Sequence, residues 1–126
     1  MATTSTTVLL VTFEAVAALL IVLGIPLMRR KIRPNSFYGF RTPATLGDES
    51  LWYDVNAKSG AELVFVGTAL ALLTTVLFAA GIPDVAFAGA CLVLLLTGIM
   101  FSLFRGLAFV RERKRDSSSA GNQSAG

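Results

Sequence analysis

Glu14 is the residue of this chain whose position most demands a chemical explanation, because Val8–Met28 holds no other charge. A carboxyl inside so apolar a stretch costs a few kcal/mol in hydrocarbon and by default marks a functional site. Two readings stay open. In one, the carboxyl keeps its proton and hydrogen-bonds Thr74 or Thr75, holding helices in register; in the other, it has a proton-linked or ligand-contacting role. Glu62 and Arg105 form a second pair of intramembrane polar residues. Arg41, Asp48, Glu49 and Asp54 gather in the stretch between the first two apolar blocks, where they offer acid–base chemistry in principle. They have ordinary solvated spacing, with no nucleophile–base pair or metal cluster among them. The chain has no histidine and a single cysteine, Cys91, so an internal disulfide and a Cys/His zinc site are excluded by inventory. Cys91 lies within an apolar block and reads as a small packing residue. We expect no enzyme and no cofactor.

The elements that must carry these residues are three apolar blocks, 8–28, 61–80 and 85–104, each 20 or 21 residues long. About 20 residues at ~1.5 Å rise cross a ~30 Å hydrocarbon core. The composition agrees: 54% apolar and 15% charged, where a soluble domain carries roughly a quarter charged. A soluble protein of 126 residues cannot bury three such helices on all sides. The expected fold is therefore an all-α integral membrane domain, residues 1–110, with three transmembrane helices. The start, Met1–Thr7, lacks the basic n-region of a cleavable signal peptide, and Ala15-Val-Ala17 sits inside the apolar block, so the first block reads as a retained span.

All 11 basic residues fall either between the first and second spans or after the third. The positive-inside rule then makes the middle loop and the tail cytoplasmic and puts the amino terminus outside, in a multi-pass cell-membrane protein. The net charge of +3 is no sign of nucleic-acid binding. Arg29-Arg30-Lys31 and Arg111–Arg115 abut span ends, where basic residues anchor helices and attract anionic lipid headgroups. Residues 111–126 form a tail, basic and then, after Asp116, too polar and glycine-rich to pack, so disorder is expected there.

Small residues offer close-packing faces: Gly67 with Ala71, Ala86 with Ala90, and Gly98 with Ser102. The turn Gly81–Asp84 forces the second and third spans into an antiparallel hairpin, and Pro26 falls in the last turn of the first. Counting rise puts Glu14, Thr74, Thr75 and Cys91 roughly 9 Å below the outer surface, and Glu62 and Arg105 together near the inner interface. Three spans make a thin bundle, so a homo-oligomer is possible.

The loop 33–60 is no plain linker, since it carries Phe37, Tyr38, Phe40, Trp52 and Tyr53, rings suited to a membrane interface. Pro34 and Pro43 push the residues before them toward extended backbone, and Gly39 permits a turn. Thr45 precedes Asp48 by three in a variant of the capping box, so a helix is expected to start near Leu46 or Gly47. Leu51, Trp52 and Val55 give it an apolar stripe, and Asp54 and Lys58 an i, i+4 pair. A short interfacial helix over about 47–59 should run into the second span near Gly60. Arg41 has the geometry to grip a lipid phosphate, a carboxylate such as Asp48, or exposed backbone.

The segment Asn35-Ser-Phe-Tyr-Gly39-Phe-Arg41-Thr42-Pro43-Ala-Thr45-Leu46, followed by Trp52, Asn56 and Gly60, resembles the SdpI family of bacterial membrane proteins. Its hallmark is an N-x-x-x-G-x-R-T-P-x-T-L segment followed by a tryptophan and a glycine. The order of span, motif loop and two closing spans also matches, over roughly residues 8–105. The founding member is longer, and this chain corresponds to its carboxy-terminal, motif-bearing part. The resemblance implies immunity: that member protects a producing cell from its own secreted toxin and, as a toxin receptor, tethers a transcriptional autorepressor to the membrane. A peptide toxin and a cytoplasmic repressor are the partners so implied. The alternative drawn from the residues themselves is a small proton-coupled exporter using Glu14, although such exporters have four spans and 29–60 cannot supply one.

Overall fold

Thr3 opens the first helix by accepting the Thr6 N–H at 3.1 Å, satisfying a donor that the first turn would otherwise orphan. The computed structural model describes residues 3–124 as α1 (Thr4–Met28), α2 (Pro43–Leu46), α3 (Glu49–Ala79) and α4 (Asp84–Ser124). Three of these are long and apolar enough to cross a membrane: α1, α3 and α4. Their most apolar windows are only 17%, 22% and 17% buried within the protein. Val11, Val22, Leu72, Val76, Val93 and Phe104 all face outward. That much exposed hydrocarbon is stable only against lipid.

The ends of α1 and α3 are closed alike. Arg30 takes a left-handed φ of 59° while Lys31 N–H bonds Pro26 O and Arg30 N–H bonds Leu27 O. Gly81, at φ 68°, does the same after α3, with Ile82 N–H on Leu77 O and its own N–H on Phe78 O. Both are Schellman closures, which return the last carbonyls to hydrogen-bond partners and turn the chain sharply. Pro26 lies inside the last turn of α1, where it lacks one ladder N–H, and the helix continues past it to Met28.

α1 packs chiefly on α3, antiparallel, and α3 on α4. The first contact is set by missing side chains. A Cβ on Gly60 would lie 2.5 Å from Met28 N and 2.6 Å from Gly24 O, and one on Gly67 would lie 2.8 Å from Ala17 O. Backbones this close gain dispersion contact that lipid cannot match. Phe13, Ala17, Leu70, Phe87 and Cys91 form the buried centre of the bundle, the sulfur packed among hydrocarbon.

Three local expectations give way to the structure. The helix expected over about 47–59 forms from Glu49 and runs into the second span as one continuous α3, because Gly60 serves the α1 crossing and keeps its helical backbone. No helix begins at Leu46 or Gly47 on a Thr45–Asp48 box. Pro43, with its fixed φ, starts α2 one turn earlier, and Asp48 caps α3 by accepting Leu51 N–H at 3.1 Å. Asp54 does not pair with Lys58; its carboxylate turns to arginines on other elements, and Lys58 sits 5.0 Å from the Phe109 ring. The tail is helical through Ser124 where disorder was expected. Arg111–Arg115 are strong helix formers and nothing before Ser124 interrupts the i→i+4 ladder, so α4 continues with nearly every residue exposed. The same expectation for residues 125 and 126 falls outside the described residues.

Candidate functional site

The motif loop folds into a knot at one end of the bundle, and each polar motif residue has a definable task there. Asn35 accepts the N–H groups of Phe37 and Tyr38 at 2.9 and 2.8 Å and donates to Arg33 O at 2.8 Å. A single side chain thus folds the turn that leads to Gly39. Gly39 stands at φ 107°, and a Cβ there would meet Asn56 Oδ1 at 2.8 Å and the Trp52 ring at 3.2 Å. Glycine is required on both counts.

Asn56, about two turns into α3 and on its buried face, receives the returning chain. Its Oδ1 accepts Phe40 N–H at 2.5 Å, and its Nδ2 donates to Trp52 O at 2.9 Å and Phe40 O at 3.4 Å. Thr42 and Thr45 cap each other in a reciprocal box: Thr42 N–H bonds Thr45 Oγ1 at 2.8 Å, and Thr45 N–H bonds Thr42 Oγ1 at 3.2 Å. Thr45 also donates to Thr42 O or Phe40 O. Trp52 is fully buried and its indole N–H reaches Ile32 O at 2.9 Å, fastening α3 to the end of the first span. Leu46 is half exposed on the rim of α2.

Arg41 grips backbone: its guanidinium donates to Ser36 O across the turn while the side chain stays exposed. It does not reach Asp48. Phe37 is 93% exposed at the tip of the same turn. Tyr38 donates its hydroxyl to Leu23 O on α1, and burial pushes its phenol above the ordinary tyrosine value.

Two features of the knot escaped sequence reasoning. The Phe40 ring fills the space over Gly106 of α4, where a Cβ would come within 2.6 Å of it. A glycine between Arg105 and Leu107 in an otherwise bulky helix was the available signal. Asp54 is the hub of a three-element ion cluster, bonded to Arg30 at 2.7 Å and Arg113 at 2.6 Å. The Arg113 hydrogen bond, with that of Arg30 behind it, holds the Asp54 carboxyl below the usual carboxylate range. An acid flanked in the fold by the basic ends of two spans was legible only once those ends were known to meet.

Inside the bundle, Glu14 accepts hydrogen bonds from Thr74 and from Thr75, the latter at 3.2 Å. Each threonine can instead donate to Ala71 O, at 2.9 Å in both cases. Glu62 and Arg105 face each other across α3 and α4 at 3.2 Å. Close as they are, they miss hydrogen-bond geometry: among the described residues no donor satisfies Glu62 Oε1. At the opposite end, Thr6 donates to Asp84 at 2.5 Å, tying the start of α1 to that of α4.

Three membrane-length helices closed at one end by a hydrogen-bonded aromatic loop define a small multi-pass membrane protein. A sequence model of the SdpI/YfhL protein family matches residues 31–104. That stretch is 74 of the 126 residues (104 − 31 + 1), and the chain belongs to this family. No curated protein and no solved structure matches it.

Proposed function

We propose that the chain acts by binding and not by catalysis, as an immunity or resistance factor against a peptide toxin, with a cytoplasmic repressor as a second partner. Family membership supplies the prior. The observation that carries the reading is the direction of the motif's polar groups. Asn35, Thr42, Thr45, Trp52 and Asn56 all bond the chain's own backbone, which builds a scaffold and leaves no activated nucleophile. What that scaffold presents outward is Phe37 and Arg41, an apolar ring beside a cation. An aromatic and an arginine are the residue types that most often anchor protein interfaces.

The charge distribution supports an orientation with the knot and tail in the cytoplasm and the amino terminus outside. A tag on the carboxy terminus should then become reachable only after the membrane is permeabilised.

The test of function is survival. Expressed in a toxin-sensitive strain, the chain should raise the toxin dose needed to kill, and Arg41→Ala and Phe37→Ala should each reduce that protection while Trp52 fluorescence shows the knot still folded. Unchanged killing with the intact chain sinks the reading.

A further inference from the structure

We propose that the groove between α3 and α4 is a binding site for one anionic phospholipid, an acyl chain lying in the groove and the phosphodiester set against Lys58 and Arg105. The groove encloses about 690 Å³, within the range of small-molecule sites. Its floor and walls are apolar: Phe65, Val66 and Ala69 on α3, with Leu94, Gly98 and Phe101 on α4. One end is charged, lined by Lys58, Glu62 and Arg105.

Length selects the occupant. From Lys58 to Ala69, and again from Arg105 to Leu94, is 11 residues of helix, about 16 Å at ~1.5 Å per residue. That is one leaflet, half of a ~30 Å hydrocarbon core. The groove therefore runs from the interface to the bilayer midplane and stops, as an acyl chain does. Charge agrees. Lys58 and Arg105 against Glu62 leave one net positive charge at the interfacial end, which suits a phosphodiester. In an isologous pair of chains the same cations would meet each other, which disfavours a second copy in this groove. Arg105 is held over the Phe101 ring at 5.5 Å and Lys58 over Phe109, so both cations are placed at the rim.

Glu62 refines the headgroup. Its Oε1 has a cation nearby but no hydrogen-bond donor among the described residues. A hydroxylated headgroup would donate to it, whereas a second anion would be repelled. Phosphatidylglycerol meets both conditions.

The experiment is native mass spectrometry of the full chain released from bilayers of equimolar phosphatidylglycerol and phosphatidylcholine with matched acyl chains. One phosphatidylglycerol should remain on each chain in preference to phosphatidylcholine. A Lys58→Gln, Arg105→Gln double variant should lose that preference by about fivefold per cation, and Arg111→Gln, a cation outside the groove, should keep it. Ala69→Phe, which fills the apolar floor and leaves the charges intact, should lower retained lipid of both kinds. Circular dichroism and Trp52 emission verify the fold of every variant. Equal retention of the two lipids, or a preference that survives the double variant, overturns the site. So does an unchanged Ala69→Phe, which would reduce the attraction to a surface effect. A dimer that dissociates when Ala69→Phe is introduced would give the groove to a second copy and likewise overturn it.

Discussion

Replacing Asn56 with alanine removes the side chain that hydrogen-bonds the returning loop at Phe40 to α3, so its cost can be worked from the bonds it makes. The Phe40 N–H loses its acceptor in a part-buried position, which is about 1–3 kcal/mol for an orphaned donor. The bond from Nδ2 to Trp52 O adds about 1 kcal/mol, for a total of about 2–4 kcal/mol. Trp52 is the only tryptophan and is fully buried, so its emission reports release of the knot directly. In urea titrations of detergent-solubilised protein, the red shift of Trp52 should come at a clearly lower midpoint in Asn56→Ala, while α-helical circular dichroism of the spans persists beyond it. A double-mutant cycle sharpens the test. Gly39→Ala alone suffers both its φ of 107° and a 2.8 Å encounter with Asn56 Oδ1. In the Asn56→Ala background the second cost disappears, so the two changes should couple by about 0.5–1 kcal/mol or more. Strict additivity, or an unmoved midpoint in Asn56→Ala, would refute the account of the knot.

Three further expectations follow from the packing and the charges. Gly60→Leu should drive α1 and α3 apart and lower the thermal midpoint in detergent by several degrees, since overpacking costs about 1–3 kcal/mol; a wild-type melt would contradict the crossing. Glu14→Leu should cost about 0.6–1.7 kcal/mol, the range of interhelical hydrogen bonds in membranes, and Glu14→Gln, which still accepts from Thr74 and Thr75, much less; equal melts for the two would remove the register role. The Asp54 carboxyl is held below its unfolded value, so its contribution is complete above the unfolded pKa of about 3.9 and is lost as pH falls through the lower folded one. Protection from hydrogen exchange across 111–116, taken relative to the intrinsic rate at each pH, should therefore fall below about pH 4 in the parent chain, and Asp54→Asn should show the reduced protection already at neutral pH.

The spans were legible because a run of some twenty apolar residues has no other physical outcome, whatever surrounds it. The loop was legible in its parts and not in its assembly. Thr42, Thr45 and Asp48 are each competent caps, and local rules could not rank them; the fixed φ of Pro43 decided, giving Thr42 one helix and Asp48 the next. Asp54 was assigned to Lys58 because sequence spacing sees only neighbours on one helix, whereas Arg30 and Arg113 arrive from 24 and 59 residues away. The serines and glycines of the tail point to disorder by composition, but the helix propagating through Arg111–Arg115 extends across them to Ser124. Helix initiation is the costly step, and here it had been met inside the membrane.

α3 crosses from the knot to the far turn as a single unbroken element of 31 residues, about 46 Å long. Its first turns are clamped at Trp52 and Asn56, and its middle is packed against α1 at Gly60 and Gly67. The knot and the far turn are thus the two ends of one rod, and a displacement of the knot must either break those close backbone contacts or carry the whole helix with it.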